Sequence, residues 1–452
     1  MSFNLLSEPI IKKQETNISN DDQKFLKKIL NDFYHKIIEM NDFNNFEKIS
    51  IEWINSYFEI NDSKNSKNVL ELMKNHEQTF KWFLSSAEKE NSNAQFNLAI
   101  CYMDGMGTQK DEEKAFEWQL KLAIANNSIA QNYLGYCYQY GKGICKNETK
   151  AFEFYLKSAV AECAEGQYNL GYCYQNGKGI DKDETKAFEW YLQSAVAGCA
   201  QGQYNLGYCY HHGNGIDKNE TKAFEWYLKS AVAGCAAGQC SLGYCFSKAI
   251  GTDKNETKAF EWYLKSAVAG YAQGQCNLGY CYRYGKGIDK DETKAFEWYL
   301  KAASENETAQ NNLGNCYQFG KGTDKNETKA FEFYLKSAVA GSANGQCNVG
   351  YCYQYGKGID KDATKAFEWY LKSAVAGCAQ GQFNLGYCYQ YGKGINKDEA
   401  KAFEWYLKAS EGGNKVAQIK MKYYRFGKRI DKKIDKAVKW CKKAQIMKSK
   451  QQ

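Results

Sequence analysis

Eighteen cysteines, four histidines and many carboxylates are the residues of this chain most able to do chemistry. Their spacing decides what they could do. Nine cysteines recur at steps of 36 or 35 residues: Cys101, Cys137, Cys173, Cys209, Cys245, Cys281, Cys316, Cys352 and Cys388. One thiol per interval cannot pair within its interval. On a helical wheel each falls at the rim of an apolar face, so small buried thiols are expected. The remaining cysteines, such as Cys235 and Cys240, are too irregular for a repeated bridge, and no disulfide framework is expected. No Cys-x-x-Cys occurs, so no zinc ribbon is suggested. His211 and His212 adjoin Cys209 but point to different sides of a helix, a poor metal site. Gly320-Lys321-Gly322-Thr323 lacks the spacing of a phosphate-binding loop and reads as a turn. Asp181-Lys182-Asp183-Glu184-Thr185-Lys186 begins like a calcium loop, yet Lys186 stands where that loop needs Gly and Leu192 where it needs Glu. The carboxylate pairs all belong to helix caps and exposed faces. No enzyme, cofactor or metal is expected.

What positions these residues is a repeat. Lys-Ala-Phe-Glu starts at Lys114, Lys150, Lys186, Lys222, Lys258 and Lys294, then at Lys329, Lys365 and Lys401 after a one-residue deletion near Glu305. Leu-Gly-Tyr-Cys-Tyr keeps the same period, as at Leu170 to Tyr174 and Leu206 to Tyr210. The lone proline, Pro9, against roughly 23 in an average chain of this length, suits continuous helices. In the unit from Gly202 to Gly234, helix A covers Gly202 to Tyr210, with Gln203, Leu206, Gly207 and Tyr210 on one face. Gly213 and Gly215 form the turn. Asn219 caps helix B, about Glu220 to Ala233, with Ala223, Tyr227, Ser230 and Ala231 inward and Glu225 paired with Lys229 outside. Neither helix buries its apolar face alone, which predicts an all-α solenoid of stacked antiparallel helix pairs. The expected organisation is a disordered segment 1–20, a helical cap 21–68, a half repeat 69–92, nine repeats over 93–415 and a degenerate basic capping repeat 416–452.

The run Gly-x-x-x-Leu-Gly-x-x-Tyr-x-x-Gly-x-Gly, followed by Asp/Asn-x-x-Lys-Ala-x-x-Trp-Tyr-x-Lys-Ser-Ala, resembles the Sel1-like repeat, of the tetratricopeptide-type superfamily. Departures are local: Ala249 replaces a turn glycine, Asn315 a tyrosine, and Met421-Lys422 a Gly-Tyr. The resemblance implies a right-handed superhelix. It also implies non-catalytic adaptor or scaffold work in signalling, quality control or complex assembly.

It further implies that helix A lines a concave groove for a peptide or helix of a partner protein. The candidate lining is Tyr136, Tyr172, Tyr204, Asn205, Tyr208, His212, Tyr244, Tyr280, Tyr284, Tyr351, Tyr355, Tyr387 and Tyr391. Tyrosine supplies contact area at low entropy cost, and asparagine can bond a peptide backbone. Alternatively the 208-series tyrosines pack between helices. Arg283, Lys248, His211-His212 and Asn311-Asn312 set residues 165 to 343 apart.

The net charge of +8 is local: from Glu411 onward there are 14 Lys/Arg against 3 Asp/Glu, and the rest is slightly acidic. The tail, with Lys420, Lys422, Arg425, Lys428, Arg429, Lys432 and Lys433, is either a polar cap or a docking patch for an anionic surface. Single-stranded RNA on the aromatic groove is the alternative ligand, disfavoured by the array's charge. Small-molecule binding is not expected. No signal peptide or membrane span is read, so a cytoplasmic location with reduced thiols is expected.

Overall fold

The computed structural model describes residues 76–426. The expected segments 1–20 and 21–68, the start of the 69–92 half repeat and the chain beyond 426 lie outside the described residues. Two compact units divide the chain, Met1–Asn219 and Glu220–Gln452. The first holds α1 (His76–Ala87), α2 (Ser92–Asp104), α3 (Glu112–Ile124), α4 (Ser128–Tyr140), α5 (Glu148–Val160), α6 (Ala164–Asn176), α7 (Glu184–Val196) and α8 (Ala200–His212). The second holds α9 (Glu220–Val232), α10 (Ala236–Lys248), α11 (Glu256–Val268), α12 (Ala272–Tyr284), α13 (Glu292–Ala302), α14 (Glu307–Phe319), α15 (Glu327–Val339), α16 (Ala343–Tyr355), α17 (Ala363–Val375), α18 (Ala379–Tyr391), α19 (Glu399–Glu411) and α20 (Lys415–Phe426). Even-numbered helices are the A type and odd-numbered ones the B type. Within each unit successive helices pack against each other, as an α-solenoid requires.

Local chemistry sets the boundaries. At the start of α7, Asp183 Oδ1 accepts the Lys186 N–H at 3.0 Å, satisfying one orphan donor of the first turn. Asn147, Asn255, Asp291 and Asn326 cap their B helices in the same way. The A helix α6 ends at Gly177, left-handed at φ 65°, whose N–H returns to the Cys173 carbonyl. Ala249 takes that role in α10 at φ 58°, so the turn forms there despite a Cβ. The second turn glycine answers a different need. A Cβ on Gly179 would lie 2.1 Å from the Glu148 carbonyl oxygen at the start of α5. The turn after one A helix is thereby seated on the first turn of the preceding B helix.

Packing inside a unit repeats one scheme. Leu170 is fully buried on α6, a gain of about 1.5–3 kcal/mol. Gly171 beside it leaves room for the Tyr191 ring of α7, to which a Cβ would come within 2.8 Å. Tyr191 is buried, and its hydroxyl donates to Gln175 Oε1 at 2.6 Å. Ser194 Oγ donates to the Ala164 carbonyl at 2.6 Å, so α7 is tied to both ends of α6. In the second unit Tyr370 and Gln354 (2.6 Å), with Ser373 and Ala343 (2.7 Å), repeat this arrangement. The nine serial cysteines are buried as expected. One surface expectation is corrected. Lys229 lies over the Trp226 ring, 3.9 Å from its centroid, instead of pairing with Glu225. A cation held on a half-buried indole loses less side-chain freedom than an exposed ion pair demands.

Candidate functional site

Among the described residues, the A helices bury one side and leave the other partly exposed. Its buried side carries the serial leucine and cysteine. Its second tyrosine meets the phenylalanine of the preceding B helix edge-on, as in Phe188–Tyr210 at 5.5 Å. In five of the described A helices the opposite side carries two aromatic residues four apart, one helical turn, so their rings meet. Ring centroids are 4.7 Å apart for Tyr136–Tyr140, 4.2 Å for Tyr208–His212, 4.6 Å for Tyr280–Tyr284, 4.7 Å for Tyr351–Tyr355 and 4.6 Å for Tyr387–Tyr391.

Exposure separates the predicted residues. Tyr284, Tyr355 and Tyr391 are 52–55% exposed, and Tyr244, Tyr280 and Tyr351 are also exposed. His212 is exposed, while Tyr136, Tyr172, Tyr204, Asn205, Tyr208 and Tyr387 are half-buried. In α6 the place of the fourth-residue aromatic is taken by Asn176, whose amide donates to the Tyr172 carbonyl. Beside Tyr136 a cavity of about 260 Å³ opens among Ile100, Asp104, Asn132, Tyr133 and Asn169. Burial pushes the Asp104 carboxyl up, with Lys110 opposing.

Asparagines at the repeat position of Asn205, namely Asn169, Asn277, Asn348 and Asn384, act within the solenoid. Asn169 donates to Asn132 Oδ1 and Asn348 to Asn311 Oδ1, both at 2.8 Å. Asn277 and Asn384 donate to the Cys240 and Cys347 sulfurs at 3.4 and 3.5 Å. These amides link neighbouring A helices, which occupies donors that the sequence reading reserved for a peptide backbone.

Sequence reasoning missed the polar roof over the buried B-helix tyrosines. Gln139, Gln175, Gln354 and Gln390 each accept a tyrosine hydroxyl at 2.6–2.8 Å. Arg283 holds that position in α12 and has no acceptor to give, so the Tyr299 hydroxyl is buried without a partner among the described residues. The one signal was the glutamine recurring one residue before the exposed tyrosine.

At the basic end, Lys420 does not stand free for docking. Its Nζ donates to Gln390 Oε1 and, at 3.0 Å, to Tyr406 Oη, and lies 4.1 Å from the Tyr406 ring. Burial pulls its amine down from the usual value. Lys422 is exposed. The Arg425 side chain and Lys428, Arg429, Lys432 and Lys433 lie outside the described residues. Among the described residues no His, Cys, Asp and Glu cluster could hold a metal ion. No described helix is long and apolar enough to cross a membrane.

A family model for the Sel1 repeat matches residues 70–91, 92–127, 128–159, 164–199, 200–235, 236–271, 272–307, 308–342, 343–378, 379–414 and 415–444. Among solved structures, c5321, a protective antigen of uropathogenic Escherichia coli strains displaying an SLR fold, is 30% identical. That match covers 86% of this chain and 85% of the antigen, with a TM-score of 0.61. A Sel1 repeat protein from Oxalobacter formigenes is also 30% identical, covering 54% of this chain and 96% of its own, at a TM-score of 0.49. No curated protein matches the chain.

Proposed function

The chain belongs to the Sel1-repeat family, and on that premise we propose that it is a non-catalytic scaffold whose exposed A-helix faces hold a peptide or helix of a partner protein. The observation that carries this reading is the tilted aromatic pair, exposed at its second ring, that recurs along α12, α16 and α18. Contact within its own helix already restricts each ring, so contact with a partner costs little further entropy. A phosphate backbone would instead need free cations beside the rings. The turn lysines after α12 and α16 are engaged, Lys286 with Glu256 at 3.7 Å and Lys357 with Glu327 at 3.1 Å, as is Lys321 after α14 with Glu292 at 3.0 Å. The charge pattern therefore favours a protein over RNA.

The test is Tyr280→Ala with Tyr284→Ala, and Tyr351→Ala with Tyr355→Ala, in the full chain. A partner captured from native lysate should bind at least about 30-fold more weakly, the size of a hot-spot loss. Helical circular dichroism and its melt should stay unchanged. Equal loss of fold and binding would make these rings part of the packing and end the reading, as would binding that both double variants retain.

A further inference from the structure

The start of α18 lies against α16, the A helix one repeat earlier, with Cys378 standing 31 residues after Cys347. In other repeats the positions 31 residues apart usually hold unlike residues: Asn132 and Cys163, Tyr168 and Cys199, Asn311 and Ser342. At Cys347 and Cys378 both are cysteine. Cys347, 5% exposed, lies on α16, and Cys378, partly exposed, caps α18 and packs against the cluster that holds Cys347. Both are free thiols. Asn384 Nδ2 donates to Cys347 Sγ at 3.5 Å, and Cys378 Sγ donates to Asn344 Oδ1 at 3.4 Å. Cys378 thus meets α16 at Asn344, one helical turn from Cys347.

We propose that Cys347 and Cys378 form an oxidant-responsive pair, which a peroxide converts into a disulfide stapling α16 to the start of α18. The roles follow from position. Cys378 is the more accessible sulfur and sits at a helix N-terminus, where N–H groups favour a thiolate. The neighbouring Cys347 thiol pulls the Cys378 thiol down to about 5, and the N–H groups of Gly381 and Gln380 add to this against the effect of burial. The same neighbour, with burial, pushes the Cys347 thiol up and keeps it protonated. The Cys378 thiolate attacks one peroxide oxygen; the O–O bond breaks and hydroxide leaves, taking up a proton as water. Cys378 is then a sulfenic acid. Cys347 sulfur attacks Cys378 sulfur, the S–O bond breaks, and the departing hydroxide takes the Cys347 proton. Overall the two thiols lose two electrons and two protons, and hydrogen peroxide becomes two waters.

Cys163 and Cys199 provide internal controls. They occupy the same helix-start position, face no cysteine, and are pushed up by burial. The reduced full chain is titrated with hydrogen peroxide, its remaining thiols are alkylated, and its unreduced digest is mapped by mass spectrometry. The expected result is a Cys347–Cys378 linked peptide, lighter by two hydrogens and reversed by dithiothreitol. It should appear about tenfold faster than Cys163 or Cys199 is lost. Cys347→Ser should divert Cys378 to sulfinic acid, and Cys378→Ser should leave Cys347 reduced, with circular dichroism checking the fold of both. The proposal is overturned if Cys378 in the unmutated chain is lost no faster than the controls. It is equally overturned if Cys378 pairs elsewhere, or reaches sulfinic acid without linking to Cys347.

Discussion

Alanine at Gly179 should cost far more than alanine at Gly177, two residues earlier in the same turn. Both glycines are left-handed, at φ 71° and 65°. A residue with a Cβ pays about 1–2 kcal/mol for that backbone, and roughly 0.4–1 kcal/mol returns because the unfolded chain loses freedom. At Gly177 little else changes, since a new Cβ would have its nearest neighbours at 3.6 Å. The net cost there is about 1 kcal/mol. At Gly179 the Cβ would stand 2.1 Å from the Glu148 carbonyl oxygen and 2.6 Å from its carbon. These are backbone atoms of the first turn of α5, which cannot swing aside as a side chain does. The seam between repeats must open, at about 1–3 kcal/mol for overpacking, giving a total of about 3 kcal/mol. A single unfolding free energy is poorly defined for a long repeat array, so the assay is native-state amide exchange resolved by peptide. Gly177→Ala should speed exchange in α5 to α7 about fivefold and Gly179→Ala more than about 100-fold. Equal acceleration by the two variants would refute the claim that the second glycine exists to seat one repeat on the previous one.

Two further outcomes are expected. Ala249→Gly should stabilise the α10–α11 turn by about 0.5–1 kcal/mol, because it relieves a left-handed alanine at φ 58°; slower exchange at the end of α10 would show it, and unchanged exchange would count against it. Acidification should loosen the start of α7 before that of α5. The Lys186 N–H holds the Asp183 carboxyl below the usual carboxylate range. Its capping contribution is therefore complete above the unfolded value near 3.9 and is lost as pH falls through the lower folded value. Asn147 caps α5 without titrating. Exchange corrected for intrinsic rate, compared at about pH 5 and about pH 2, should show the difference, and Asp183→Asn should remove it.

The period, the helix boundaries and the caps were legible because they are local. Asp183, Asn147, Gly177 and the inward set Ala223, Tyr227, Ser230 and Ala231 satisfy turn-by-turn rules that need no partner helix. The observed helices run only a residue or two past or short of the expected ends. Which polar groups remain available was not legible, because that depends on a neighbour 14 to 37 residues away. Gln175 and Gln354 near the C-terminal ends of their A helices read as surface until Tyr191 and Tyr370 reach them from the next helix. Asn169 and Asn348 stand at the repeat position of groove candidate Asn205, yet they meet Asn132 and Asn311 one repeat back. Lys420 reads as part of a basic tail until it closes over Tyr406. Cys347 and Cys378 are two irregular cysteines in one dimension and a facing pair in three. Sequence alone determined the repeat and its helices, since backbone hydrogen bonds and apolar periodicity act within one turn. Only the tertiary structure decided which exposed-looking side chains are already engaged, since that depends on how one repeat stacks on the next.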